Sequence, residues 1–154
     1  MFDAYAPRIV RIERCFWNDR RMISRYLLIA LGGMAGASIR WAVGTMINTQ
    51  GFPWPIFAVN VVGCAILGIL LAEEWEHPSA RLWLQDFGGI GFCGGLTTMS
   101  SFATGIVNLA EHGEATMAVV YVMASVVVGF AAMAATAIAT RHLRAISLPL
   151  EEAP

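Results

Sequence analysis

Four long apolar stretches make up most of this chain and constrain its fold more than any other feature. Hydrophobic residues account for 57% of the 154 positions and charged residues for only 14%, whereas about a quarter of an average soluble domain is charged. The stretches are Tyr26–Ile47, Trp54–Ala72, Phe87–Leu109 and Ala115–Thr140. Each approaches or exceeds the roughly 20 residues with which an α-helix crosses a hydrocarbon core. The sequence therefore predicts an all-α membrane protein of four transmembrane helices, with short connections that make neighbouring helices antiparallel.

The basic residues predict the orientation of these helices. All ten are arginine; Arg40 lies inside the first helix, and the other nine share one side of the membrane. These nine are in the N-terminal segment, the second connection and the C-terminal segment: Arg8, Arg11, Arg14, Arg20, Arg21, Arg25, Arg81, Arg141 and Arg144. Because positively charged loops stay in the cytoplasm, both termini are expected there.

The segments outside the helices are interpreted as an arm at 1–24 and a tail at 145–154, flanking a four-helix domain at 25–144. The arm is either a surface helix, a disordered segment or sequence upstream of a true start at Met22. A start at Met22 removes five of the nine arginines and leaves four, so the orientation is then only weakly determined. The small residues of Ala35-Gly36-Ala37 resemble a signal-peptidase site, but three further apolar stretches follow, which favours a retained helix.

Polar side chains inside the predicted helices carry the functional information, because they are costly in hydrocarbon and usually face a bundle interior or a pore. They are Arg40, Asn60, Thr97, Thr98, Ser100, Ser101, Thr104, Tyr121 and Ser125. No Asp or Glu lies near the centre of a stretch, and proton-coupled carriers normally need a titratable group there. The pattern therefore favours passive conduction. Cys15, Cys64 and Cys93 have no metal-binding spacing and are interpreted as inert thiols.

The third stretch contains the segment GFCGGLTTMSSF at 91–102. Its glycines weaken a helix, and its four hydroxyls can bond to backbone groups that a break would release. Non-helical backbone at membrane depth occurs only where it is buried in protein or lines an aqueous path. We therefore predict that the third helix is broken near the middle of the membrane.

Several polar positions admit both a structural and a functional interpretation. Arg40 either reaches the headgroups with its long stem or forms an electropositive vestibule. Asn60 either bridges helices or lines a pore. Tyr121, Ser125 and Gly129 recur at helical spacing on one face, which indicates an anion track or a coincidence. The glycines of Gly32-Gly33-x-x-Gly36-Ala37 are interpreted as a close helix–helix contact.

The order and spacing of three motifs resemble those of the Fluc (CrcB) fluoride channels of bacteria. The motifs are GGMAGASIRW at 32–41, VNVVG at 59–63 and GFCGGLTTMSSF at 91–102. The resemblance extends from Met22 to about Arg144. It implies a multi-pass protein of the bacterial inner (plasma) membrane that passively exports fluoride and lowers its cytoplasmic concentration. It implies neither catalysis nor nucleic-acid binding.

The resemblance also implies how individual residues are used. Two subunits of opposite orientation would form a dual-topology homodimer in the lipid bilayer, with two fluoride pathways. A structural Na⁺ ion at the dimer interface would be bound by the backbone carbonyls of Gly94 and Thr97. Arg40 would line a vestibule. The fluoride pathways would be lined by Asn60, Thr98, Met99, Ser101, Phe102, Tyr121 and Ser125.

Four positions depart from the family pattern. Met99 replaces one of two usual phenylalanines, Ile56 a common Thr, and Gly105 a common Glu. Gly129 falls where a third hydroxyl often extends the track. Methionine can fill the space of a ring but has no electropositive ring edge, so we expect conduction to survive at an altered rate.

Two alternatives from other classes stay open. A small four-helix, dual-topology exporter of cations or drugs predicts a carboxylate in the first helix, which this sequence lacks. A noncatalytic subunit of a larger membrane complex predicts no transport by the purified protein. An enzyme is disfavoured, because no nucleophile, base and orienting group are arranged together.

Overall fold

A computed structural model describes residues 19–47, 51–72, 80 and 83–147 of the protein. Its helices are α1 (Asp19–Met46), α2 (Trp54–Ala72), α3 (Trp83–Cys93), α4 (Gly94–Leu96), α5 (Met99–Glu111) and α6 (Ala115–Ser147). Most of the predicted arm and tail, including Cys15, lies outside the described residues. Residues 19–24 of the arm belong to α1.

The four predicted membrane helices are confirmed. The spans that are long and apolar enough to cross a bilayer are Met22–Met46, Trp54–Ala72, Trp83–Glu111 and Ala115–Ile146. The third of these, which we call the third span, consists of α3, α4 and α5 and is interrupted between Leu96 and Met99. The predicted break in the third helix is therefore confirmed as well.

The first half of the third span differs from the sequence-based expectation. It begins at Trp83 rather than Phe87, and α3 is a π-helix of 11 residues instead of an α-helix. The wider π-helical turn coincides with a run of small residues at Gly88, Gly89 and Gly91. Hydrophobic periodicity cannot distinguish this geometry from an α-helix over so short a segment.

Glycines bring α1 and the third span into backbone contact. A Cβ atom added to Gly32 would collide with Phe87 O and Phe92 N, and one added to Gly36 with Phe92 O and Leu96 N. On the opposite side, a Cβ on Gly95 would collide with the backbone of Gly33. The packing interpretation of the first-helix glycines is confirmed. This contact fixes the segment just before the break against α1, while α2 packs mainly against α6.

Alanine substitutions in α1 test this contact. We expect Gly36→Ala to lower the free energy of unfolding by about 2–3 kcal/mol, because the new methyl group meets backbone atoms that cannot move independently. Gly44→Ala is the matched control, since no atom of residues 19–47, 51–72, 80 or 83–147 lies within 4 Å of an added Cβ there, and it should raise stability by about 0.5–1 kcal/mol. Thermal unfolding in detergent, followed by circular dichroism, measures both. Equal effects of the two substitutions would contradict the backbone contact.

An ion pair joins α1 to the beginning of the third span. Arg25 Nε lies 2.7 Å from Asp86 Oδ2, and Arg25 Nη2 donates to Asp86 Oδ1 at 3.1 Å. The carboxylate side chain is only 2% exposed, whereas the Arg25 side chain is 47% exposed. Because the guanidinium supplies two parallel hydrogen bonds, the buried charge of Asp86 is compensated. No local sequence pattern predicts this pair, because its partners are 61 residues apart.

Removing one partner of this ion pair should affect the stability of the protein more than removing the other. We expect Arg25→Ala to destabilise the protein by about 3 kcal/mol, since it leaves a buried carboxylate without a counter-charge. Asp86→Ala should cost only about 1 kcal/mol, because the half-exposed Arg25 can extend to the lipid headgroups. Unfolding in detergent provides the comparison. A larger effect for Asp86→Ala would show that the carboxylate is stabilised by groups other than Arg25.

Candidate functional site

The interruption in the third span consists of two extended residues. Thr97 has φ −76° and ψ 154°, and Thr98 has φ −149° and ψ 123°. Extended residues cannot continue the helical hydrogen-bond pattern, so backbone groups on both sides of the break need other partners. In a membrane those partners must come from the protein itself.

Side chains from the first two spans provide these partners. Asn60 Oδ1 on α2 accepts a hydrogen bond from Thr98 N at 2.9 Å, and Asn60 Nδ2 donates to Thr98 O at 3.4 Å. Arg40 Nη1 on α1 donates to Thr97 O at 3.0 Å. The structure thus brings Arg40, Asn60 and the break together. It supports the bridging interpretation of Asn60, whose second Nδ2 hydrogen still leaves a donor for a ligand.

The hydroxyl groups after the break begin α5. Thr98 is the N-cap residue: its Oγ1 accepts from Ser101 N at 3.2 Å. The same oxygen lies 3.1 Å from Ser100 Oγ and 3.3 Å from Ser101 Oγ. These bonds satisfy a helix terminus that would otherwise lack acceptors. The expectation that the hydroxyls would bond to backbone released by a break is confirmed for Thr98.

The break also changes the surroundings of Gly94. In a continuous α-helix its carbonyl would accept from Thr98 N, but that amide donates to Asn60 instead. Gly94 is exposed on the surface of the protomer, and no atom of the described residues lies within 4 Å of a Cβ added there. The carbonyl of Gly94 therefore loses its usual i+4 helical partner at the break.

Tyr121 on α6 is the most deeply buried aromatic residue of the site, with no exposed surface. The centroid of its ring lies 5.0 Å from that of Phe102 and 5.2 Å from that of Phe52, which it meets edge to face. Such separations are typical of favourable aromatic pairs. Phe52 was missed by sequence analysis, because it lies in a connection where no periodic pattern marks a contact.

Two hydroxyls of α6 are buried without a partner. Within the described ranges, Tyr121 Oη and Ser125 Oγ are the buried side-chain oxygens or nitrogens that make no hydrogen bond. A buried polar group without a partner typically costs about 1–3 kcal/mol. Such groups therefore call for an explanation, and an absent ligand is one. The two hydroxyls are one helical turn apart on the same face, as predicted.

Two cavities lie along this group of residues. The central cavity, of about 550 Å³, is lined among others by Asn60, Cys64, Cys93, Met99, Phe102 and Ser125. The loop-end cavity, of about 690 Å³, is lined among others by Ile56, Ser101, Thr104, Gly105, Asn108 and Glu114. A Cβ added to Gly105 would lie 3.2 Å from Tyr121 Cε1. Tyr121 therefore lies beside the loop-end cavity, and its ring contacts Phe102, which lines the central cavity.

The structure gives physical reasons for some departures from the family pattern. A side chain at Gly105 would press against both Tyr121 and Pro53 Cγ, so Gly fits this position without displacing the ring. At Gly129 an added Cβ would lie 3.4 Å from Cys64 Sγ, so a thiol from α2 lies beside the position of the missing hydroxyl. Met99 is 75% exposed on the protomer.

These features define a class of protein: a small multi-pass membrane protein whose third span is interrupted. Side chains of the first and second spans form hydrogen bonds with the backbone at the interruption. Among the described residues, the buried, unpartnered hydroxyl of Ser125 lines the same cavity as Thr97 and Thr98 of the interruption. This arrangement is typical of proteins that bind or conduct small ions within the membrane.

The chain belongs to the CrcB family, described as "CrcB-like protein, Camphor Resistance (CrcB)", whose profile matches residues 27–137. A protein of Rhodococcus jostii named "Fluoride-specific ion channel FluC 2" is 47% identical over 107 residues, covering 69% of this chain and 90% of the relative. "Fluoride-specific ion channel FluC" of Bordetella bronchiseptica is 36% identical, covering 77% and 91%. A further "FluC 2", from Streptomyces avermitilis, is 38% identical, covering 78% and 76%. The family resemblance found in the motifs is confirmed.

Proposed function

We propose that this protein is a fluoride-selective channel that lets fluoride leave the cytoplasm passively. The observation that carries the proposal is the pair of buried, unpartnered hydroxyls of Tyr121 and Ser125. Fluoride is small and strongly hydrated, so a selective path must replace its water with hydrogen-bond donors. The names of the relatives from Rhodococcus and Bordetella support a channel over an exporter of cations or drugs, and over an enzyme.

The proposed pathway runs from the loop-end cavity past Ser101 and the two rings into the central cavity. Tyr121 Oη and Ser125 Oγ donate to the ion, and Asn60 offers the Nδ2 hydrogen that is not directed at Thr98. Asn60 Oδ1 accepts from Thr98 N, which fixes the amide and leaves its second N–H for the cavity that Asn60 lines. The electropositive edge of the Phe102 ring adds a further favourable contact. Thr98 and Met99 line the central cavity.

The proposed Na⁺ site uses backbone oxygens near the break. Carbonyl oxygen is a suitable ligand for a hard cation, and the Gly94 carbonyl lacks its helical partner. Thr97 O accepts one hydrogen bond, from Arg40, and a carbonyl oxygen has a second lone pair. The residues therefore fit half of a site. A second copy of the chain would contribute the other half, and the bound ion would supply a fixed positive charge beside the anion paths.

In this proposal Arg40 does more than line a vestibule. Its guanidinium bonds to the break itself and places a second positive charge near the central cavity. Both charges attract fluoride, and in a site of low dielectric this attraction is stronger than in water.

The proposed assembly is a dual-topology homodimer in the bacterial plasma membrane. Its support comes from the exposed positions of Gly94 and Met99 on the protomer, which suit contact with a second copy. The expected physiological effect is release of fluoride that entered the cell as hydrogen fluoride and dissociated in the more alkaline cytoplasm.

Reconstitution into liposomes tests the function. Vesicles loaded with potassium fluoride or potassium chloride are opened to K⁺ with valinomycin, and the released anion is followed with ion-selective electrodes. We expect rapid loss of fluoride and little loss of chloride. Transport that requires a proton gradient would favour the exporter, and the absence of any flux would favour an accessory subunit.

A further inference from the structure

The central cavity contains a group of sulfur atoms that the proposed function does not use. Cys64 comes from α2, Cys93 ends α3 and Met99 begins α5, and all three line this cavity. Both cysteines are free thiols, with Cys93 buried and Cys64 partly buried.

Contacts fix the backbone of Cys93 and place Cys64 Sγ beside α6. Cys93 O accepts from both Thr97 N and Thr97 Oγ1, each at 2.9 Å, so the backbone that carries this thiol is fixed at the break. Cys64 Sγ packs beside Gly129 of α6, where the absence of a side chain leaves room for it. A site whose ligands come from fixed helices needs little rearrangement to bind an ion.

We propose that Cys64 and Cys93, assisted by Met99, form a binding site for a soft monovalent metal ion of the Ag⁺ or Cu⁺ class. Thiolate and thioether sulfur select such ions, whereas hard cations prefer oxygen. Binding converts one thiol to a thiolate and releases one proton, while the second thiol coordinates as a neutral ligand. The product is an uncharged metal–thiolate pair, which can be buried without leaving an unpaired charge.

A metal ion at this position blocks the proposed fluoride pathway, and in this respect the inference rests on the proposed function. Asn60 lies one helical turn before Cys64 on α2, and Ser125 lines the same cavity. The bound ion and its sulfur ligands occupy the space that fluoride must cross. Fluoride, a hard anion, does not compete for a soft metal and cannot displace it.

Silver nitrate in chloride-free buffer is the probe, and every protein carries Cys15→Ser so that only the two cavity thiols remain. Bound silver is measured after gel filtration in detergent, and we expect about one ion per chain. Fluoride efflux from liposomes should fall at least about tenfold at silver concentrations that saturate this site. Met99→Leu should weaken silver binding without abolishing it.

Cys64→Ser and Cys93→Ala serve as variants, and Cys64→Ala is a second variant should serine disturb packing. Each should bind little silver and retain fluoride efflux in its presence. Unchanged silver binding in these variants, or equal inhibition of all proteins, would overturn the proposal. A protein that conducts no fluoride even without silver would refute the proposed function, while the silver stoichiometry would still decide the metal site.

Discussion

Asn60→Asp is expected to lower fluoride efflux at least about 100-fold while the fold is preserved. The substitution replaces an N–H donor of the central cavity with a carboxylate oxygen where an anion must pass. Two like charges about 4 Å apart repel by about 4 kcal/mol at an effective dielectric of about 20. Such a barrier corresponds to a rate reduction of about a thousandfold. Fluoride efflux from liposomes at neutral pH measures the effect.

The fold should survive because Asp has the shape of Asn. A carboxylate oxygen in the place that Asn60 Oδ1 occupies now would still accept the 2.9 Å hydrogen bond from Thr98 N. Only the longer bond to Thr98 O, at 3.4 Å, is lost, so the break keeps the shorter of its two bonds to this side chain. Asn108→Asp is the matched control: it introduces the same charge on an exposed residue that lines the loop-end cavity. Water screens that charge, and the flux should change only about twofold. Efflux within tenfold of the parent for Asn60→Asp would argue against a pathway beside Asn60.

The overall architecture could be predicted from the sequence because each span is a long local pattern. Apolar length alone located the second span, Trp54–Ala72, at its observed bounds. The break was predicted from glycines and hydroxyls within one segment, but the helix continues through Gly94 and Gly95 and stops only at Thr97. The reason is tertiary: backbone contact of Gly95 with Gly33 supports the helix at residues of low intrinsic propensity.

Contacts between distant segments were beyond the reach of sequence patterns. The ion pair of Arg25 with Asp86 joins positions 61 residues apart, and no local periodicity connects them. Likewise, the sequence marked Arg40 as charged and Asn60 as polar, but only the packing of three spans shows that both bond to the break. The candidate residues were thus identified individually, whereas their partners were not.

Arg40 and Asn60 therefore link stability to the proposed conduction. The groups that satisfy the interrupted backbone also supply positive charge and an N–H donor beside the cavity. A helix that ran unbroken through Thr97 and Thr98 would need neither side chain for its own hydrogen bonds. The interruption thus explains why costly polar groups are retained inside the first two spans.

Tyr121→Phe is expected to have opposite effects on stability and flux. Tyr121 Oη is buried and makes no hydrogen bond within the part of the chain that the structure describes, so its removal should raise the free energy of unfolding by about 1 kcal/mol. Fluoride, in contrast, loses a donor during passage. A hydrogen bond to a charged group is typically worth about 1.5–3 kcal/mol, which predicts a loss of flux of about 10- to 100-fold. Thermal unfolding in detergent and fluoride efflux measure the two effects.

Tyr26→Phe is the matched control, because it removes the same hydroxyl from an exposed tyrosine of α1 and should alter neither stability nor flux.

Ser125→Ala extends the test, since Ser125 Oγ is also buried without a partner among the described residues. Its control is Ser38→Ala, which removes an exposed hydroxyl bonded to Met34 O. If a residue served packing alone, its substitution would lower the stability of the protein, and flux would fall only in proportion to that loss of stability. A gain in stability together with a loss of flux is expected only where a buried polar group serves a passing ligand. Such a group lowers the stability of the protein by itself, and its hydrogen bond to the ligand compensates that loss.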